Sequence, residues 1–186
     1  IEQNGTGTLT LLSAFTATGA GTKTLTFSGT GDGTAAGAIV DNSGTNKTSV
    51  TKEGSGTWTL SGSNSYTGAT TITGGSLVVN GNTTTSITTV SGTGTLGGSG
   101  TVGGLIALAG GTVSPGNSPG ILYAGDTNLG TGSTLAIEIE GDAVGTGHDQ
   151  LNVAGTVTLA GLLDVSLSYT PVEGTLFFIL ANDGND

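Results

Sequence analysis

The sequence predicts an all-β protein: a right-handed, single-stranded parallel β-helix (β-solenoid) of about eight or nine rungs, at roughly 20 residues per turn. Three observations lead there. Short runs alternate apolar residues with Thr or Ser throughout the chain, and such alternation sends successive side chains to opposite faces of a strand. Gly-rich corners separate the runs, at Gly74-Gly75, Gly97-Gly98, Gly103-Gly104 and Gly110-Gly111. Glycine accepts the positive φ that a tight corner demands. Aromatic residues make up only 4% of the chain, so aliphatic side chains must fill the interior, as a narrow bore requires. An antiparallel sandwich is the competing architecture. Its strands usually run about 5–6 residues, longer than most runs here, and loosely related units recur every couple of dozen residues as stacked coils would.

In chain order, the strands are expected at Thr8–Leu11, Thr24–Phe27, Thr57–Leu60, Thr71–Thr73, Leu135–Glu140 and Val157–Leu159. A last, strongly apolar strand is expected at Leu176–Leu180, within the run Thr175–Ala181. In each, Leu, Ile and Val should point into the bore, and Thr, Ser and Glu toward water. Gly, Asn or Asp brackets nearly every run, as turns require. Helix is not expected, because Gly, Thr, Val and Ser interrupt every helical stretch. Stacked rungs, about 4.8 Å apart, would satisfy the backbone donors and acceptors by pairing with one another. One solenoid domain spanning residues 1–186 is expected. It comprises N-terminal rungs at 1–51, a distinct repeat at 52–81 and C-terminal rungs at 82–186.

Composition narrows the function. The 186 residues carry 13 acids, three lysines and no arginine, for a net charge of −10. Nucleic-acid binding needs a basic footprint, and Lys23, Lys47 and Lys52 do not supply one. Anionic membrane surfaces are disfavoured for the same reason. There are 37 glycines without a Gly-X-Y period, which excludes collagen. With no cysteine there is no disulfide, thiolate metal site or thiol nucleophile. The longest apolar run, Thr175–Ala181, is far short of a membrane helix, so no membrane insertion is expected of this segment. The first residues, IEQNGTGTLTLL, read as mid-protein or as a processed start.

One segment is more specific. Gly54–Gly81, GSGTWTLSGSNSYTGATTITGGSLVVNG, preceded by Lys52, resembles the autotransporter-associated β-strand repeat of bacterial passenger domains. The matching positions are Gly54, Gly56, Leu60, Gly62, Asn64, Tyr66, Gly68, Thr70, Thr71, Ile72, Gly75, Leu77 and Val79. Downstream, GGTVSPGNSPGIL (Gly110–Leu122) is similar to a Pro-Gly-Asn-Ser-Pro-Gly element of such proteins. HDQLNVAGTVTLAGLLDVSL (His148–Leu167) is similar to an Asp-x-Leu-x-Val-x-Gly segment near the end of their solenoids. The resemblance implies a right-handed parallel β-helix that is secreted, extracellular or on the bacterial cell surface.

No catalytic, cofactor-binding or metal-binding residue is assigned, and no cofactor is expected. The sole histidine, His148, lies beside Asp149 and near Asp142 in GDAVGTGHDQ. A metal or acid/base site is the sharp reading of that loop. The expected one is a solvated corner, with Asp149 capping the turn before Leu151-Asn152-Val153. Gly31-Asp32-Gly33 and Asp183-Gly184-Asn185-Asp186 are isolated, so they are read as turns rather than tandem calcium loops. Glu138 and Glu140 share one strand face and are expected to be solvated, although two carboxylates about 5–5.5 Å apart would suit a retaining glycosidase. Trp58 and Tyr66 are expected to pack in the structure rather than to stack on sugar. Tyr123 and Tyr169 are scattered. The Thr-x-Thr runs are too interrupted by Gly and Asn for an ice-binding array. Asn4, Asn46 and Asn82 occupy glycosylation sequons that occur by chance in so Thr-rich a chain.

The expected role is therefore structural, not enzymatic: a rod, stalk or fibre segment outside the cell. Each end of a solenoid is a sheet edge, and nothing in the sequence resembles a cap. The expected partners are other copies of the chain or adjoining solenoid segments, met through the terminal rungs. The alternative is an adhesin-type module that holds glycan or a host surface on an outer face. A carbohydrate-active enzyme ranks below both.

Overall fold

A computed structural model describes residues 1–183. The described residues form strands, turns and irregular segments, with no helix. The chain coils so that each turn lays short strands on three faces, and every strand pairs in parallel with strands of neighbouring turns. Two antiparallel bridges, Gly98 with Gly116 and Ile139 with His148, occur locally. This is a parallel β-helix, as the alternation and the corners predicted.

The first face stacks Leu9–Leu11, Gly33–Ala35, Thr57–Leu60, the second half of Thr70–Val79, the second half of Thr88–Gly98, Thr112–Pro115, Thr134–Ile139 and Leu162–Leu167. Its register builds one inward ladder: Leu9, Gly33, Trp58, Leu77, Leu96, Val113, Leu135 and Leu163. The second face aligns Phe27, Lys52, Ile72, Val90, Ala107, Leu129 and Leu159. The third face joins Asn82–Thr83, Thr101–Val102, Ile121–Ala124, Gln150–Val153 and Leu180–Asn182. A separate pair, Phe15–Thr16 with Ile39–Val40, lies nearer the N-terminus. Buried aliphatic residues from all three faces form a continuous core. Fully burying each such side chain stabilises the fold by about 1.5–3 kcal/mol.

Corners hold the coil where backbones pass closely. Gly98 has φ +107°, and a Cβ there would lie 2.2 Å from the Val79 carbonyl oxygen of the preceding rung. Gly33 serves packing instead. The Trp58 ring occupies the space that a side chain at 33 would take, 2.6 Å from its ideal Cβ. The same indole stacks on Phe27 with centroids 4.4 Å apart.

Two expectations are corrected. Hydroxyl residues do not all face water: Thr48, Thr70, Thr83, Thr88 and Thr127 are buried. Thr70, Thr88 and Thr127 stand in one inward column with Leu25, Val50, Leu105 and Val157. Strand parity places them inside, and Thr70 meets its hydrogen-bonding need with Tyr66 and Ser86, at 2.7 and 2.8 Å. The strand expected at Leu176–Leu180 is instead Leu180–Asn182. A turn, with Thr175 N donating to Val172 O at 3.0 Å, precedes it. Leu176 and Phe178 point outward, while Phe177, Ile179 and Leu180 pack on the core. Five consecutive apolar residues carry no parity signal, so the sequence could not show where pairing begins. The turn read at Asp183–Asp186 falls largely on 184–186, outside the described residues.

Candidate functional site

The loop that holds the sole histidine leads from Thr134–Ile139 into Gln150–Val153. The expected solvated corner is not found at its end, because His148 and Asp149 are each only 1% exposed. Nor does Asp149 cap its own turn. Its Oδ1 accepts from Gly120 N at 2.8 Å and its Oδ2 from Glu138 N at 2.9 Å. The carboxylate thus ties the Pro-Gly-Asn-Ser-Pro-Gly loop to the following strand, joining two elements far apart in sequence. Gly116 makes this possible. Its ideal Cβ would fall 2.2 Å from Gly120 N and 2.9 Å from Asp149 Oδ1. Burial pushes the Asp149 pKa above the ordinary aspartate value, the two N–H donors oppose that, and the Glu138 and Glu140 charges reinforce it.

This loop is built for bracing. Both oxygens of Asp149 are occupied by backbone, and Ser118 donates to Glu138. Asp142 is exposed and accepts from the Tyr169 hydroxyl at 2.9 Å, instead of joining His148 and Asp149. His148 lies edge-on to Phe177, centroids 5.2 Å apart, and its ring nitrogens have no hydrogen-bond partner. Among the described residues, no cluster of three or more His, Cys, Asp or Glu side chains is disposed to hold a metal ion. Glu138 is partly buried and Glu140 exposed, on the outward parity of a strand whose Ile137 and Ile139 are buried. Asp32, in the isolated Gly-Asp-Gly turn, accepts from Thr57 N of the next rung at 2.7 Å. Asp41 does more, accepting from Thr48 N at 2.7 Å and from Thr67 Oγ1 at 2.7 Å.

The aromatic pair is interior. Trp58 and Tyr66 are both 0% exposed, so neither ring offers a face to a sugar. Lys52, one of the three cations and the residue just before the repeat-like segment, is also 0% exposed. Its ammonium donates to Glu53 O, Gly54 O and Gly74 O at 2.9, 3.0 and 3.0 Å, using all three protons. Gly75, φ +60°, leaves room for it, since a Cβ there would lie 2.7 Å from Nζ. Burial pushes the Lys52 pKa down, against the pull of the Asp32 and Glu53 carboxylates. A signal was available: Thr48, Val50 and Lys52 share one strand parity, and Val50 is plainly apolar.

Two surface features remain. At the C-terminal end, Leu163, Val165 and Leu167 sit in register over Leu135, Ile137 and Ile139. The lower three are buried, whereas the upper three are 55%, 43% and 56% exposed. On the flank, a groove of about 600 Å³ opens where the third face turns into the second. A recess of about 330 Å³ adjoins it across Thr84, Gly103, Gly125 and Ala154, which border both.

The family model of the passenger-associated-transport-repeat matches residues 50–79. The segment that resembles an autotransporter passenger repeat is thus such a repeat, and it forms consecutive rungs of a parallel β-helix. No curated protein matches the chain. Similarity to that repeat points to a passenger-type β-solenoid, to a structural rather than catalytic protein and to a secreted or cell-surface location.

Proposed function

We propose that this chain is a shape-bearing segment of an extracellular rod, and that its terminal rungs stack on further rungs, those of adjoining solenoid segments or of other copies. The observation that carries this reading is the uncovered bore. Leu163, Val165 and Leu167 belong to the inward ladder, yet among the described residues they are left 55%, 43% and 56% exposed. Leu159 of the second face, also inward by register over Leu129, is 62% exposed. These residues form a contiguous apolar surface bounded by strand edges, and such a surface marks an interaction site. At the other end, Leu9 is 36% exposed, while Leu11, Phe15 and Leu25 are only partly covered. The two ends differ, so their contact is heterologous and propagates as an open filament. Rod and filament depend on shape and need no catalytic group.

Sedimentation velocity over a wide concentration range tests the proposal. The native chain should associate as concentration rises. Leu163→Lys together with Leu167→Lys should remain monomeric with an unchanged circular dichroism spectrum, because both side chains are already exposed. A native chain that stays monomeric throughout would overturn end-to-end stacking.

A further inference from the structure

The flank groove opens sideways, reaching the terminal rung only at Thr156 and Thr158, and has its own chemistry. Its floor runs along the solenoid axis through the corners at Gly103, Gly125 and Ala154. Two outward columns flank it. Thr101, Tyr123 and Asn152 align on the third face, and Ile106, Asn128 and Thr158 on the second. Three rungs at about 4.8 Å make it long enough for a short oligosaccharide. Its volume, about 600 Å³, falls within the roughly 300–1,000 Å³ of small-ligand sites.

We infer that this groove and the recess adjoining it together bind a neutral polysaccharide, with the Tyr123 ring of the recess as stacking platform and the amides of Asn128 in the groove and Asn152 in the recess as hydrogen-bonding rails. Four observations support the assignment. Tyr123 is 43% exposed on a strand face, in contrast to the interior Trp58 and Tyr66. Amides and hydroxyls both donate and accept, which suits a sugar hydroxyl. The one charged residue lining the groove is Asp126, whose Oδ1 is already engaged by Thr156 N and Oγ1 at 2.9 and 3.1 Å. All three lysines lie at or before residue 52, so an anionic chain would find no countercharge.

The fourth observation is Gly104. At neighbouring Gly103 the fold demands glycine, because a Cβ would lie 2.3 Å from Ser86 O. Gly104 has no such demand: its φ is not positive, and its nearest neighbour would be Ile87 Cγ1 at an ordinary 3.6 Å. Glycine there keeps the groove floor open. A peptide strand fits less well, since backbone groups at these corners are already paired between rungs. Examples are Leu105 N with Asp126 O and Thr127 N with Thr156 O, both at 2.8 Å.

The test is titration calorimetry of the native chain with cellohexaose, laminarihexaose, maltohexaose and mannohexaose, with hexagalacturonate and an extended neutral peptide alongside. At least one neutral sugar should bind saturably, and the acid and the peptide should not. Tyr123→Ala, and separately Gly104→Leu, should weaken that binding about tenfold or more. Both variants should keep the native melting temperature, since the first trims an exposed ring and the second brings a Cβ only into ordinary contact with Ile87 and Asp126. Absence of saturable binding by every neutral sugar would overturn the assignment. So would binding indifferent to both substitutions, or a preference for the acid or the peptide. Sedimentation of the same variants keeps this test separate from end-to-end stacking, which neither residue touches.

Discussion

The inward ladder of the first face contains five leucines in equivalent register, and four of them, Leu77, Leu96, Leu135 and Leu163, provide an internal control. Their exposures are 0%, 0%, 6% and 55%. Trimming each to Ala removes the same atoms from differently covered sites. At Leu77, Trp58 and Leu96 lie directly above and below. The backbone ladder fixes rung spacing near 4.8 Å, so the cavity cannot collapse, and the cost should fall in the upper part of the roughly 2–5 kcal/mol range for buried Leu→Ala. In a chain of this size each kcal/mol lowers the melting temperature by about 2–4 °C. Leu77→Ala should therefore melt about 8–16 °C below the native chain, with Leu96→Ala similar and Leu135→Ala slightly milder. At Leu163 more than half the side chain already meets water, so Leu163→Ala should cost less than about 1.5 kcal/mol. The assay is thermal unfolding by circular dichroism at concentrations where the chain is monomeric. Equal losses at Leu77 and Leu163 would refute the claim that the bore is open at its C-terminal end. A native melting temperature for Leu77→Ala would refute the inward ladder itself.

Removing the Lys52 ammonium with Lys52→Met leaves three carbonyls without that donor and should cost at least about 2 kcal/mol; an unchanged urea midpoint would count against a structural ammonium. At Asp41, burial acts to raise the pKa, but hydrogen bonds from Thr48 and Thr67 outweigh it and hold the group below its ordinary value, with Lys47 helping. Its stabilisation is thus present above the unfolded value near pH 4 and is lost as pH falls through the lower folded value, so Asp41→Ala should flatten the acid fall in urea midpoint. Asp149 has the opposite sign. With its folded pKa raised, its contribution is fully present below about pH 4 and lost as pH rises through the folded value, and Asp149→Asn should flatten the decline on that side; unaltered pH profiles would contradict both assignments. Trp58, the single tryptophan, should emit at short wavelength and resist iodide until the chain unfolds, whereas ready quenching in the native state would place the ring outside.

Much of this protein was written locally. Alternation such as Thr57-Trp58-Thr59-Leu60 names a strand and its inward face, because side-chain direction in a strand depends only on parity. Glycine pairs such as Gly97-Gly98 name corners, because few other residues tolerate that backbone. The repeat at residues 50–79 could be recognised because its glycines and aliphatics keep fixed spacing across rungs. Coil length was less legible. Successive rungs of the second face take 25 residues from Phe27 to Lys52, 17 from Val90 to Ala107 and 30 from Leu129 to Leu159. Loops of varying length at the corners absorb the difference and blur the sequence period.

By itself, then, the sequence determined the strand-forming alternation, the corners, the acidic lysine-poor character and the kinship of one repeat, all of which depend on near neighbours in the chain. Only the tertiary structure decided that Lys52 is held by three carbonyls, that Asp149 clasps Gly120 to Glu138, that the last described rung exposes Leu163, Val165 and Leu167, and that Tyr123 and Asn128 line adjoining recesses. Each of these joins residues of different rungs. Which residues become neighbours depends on the summed lengths of every loop between them, a quantity that no local pattern encodes.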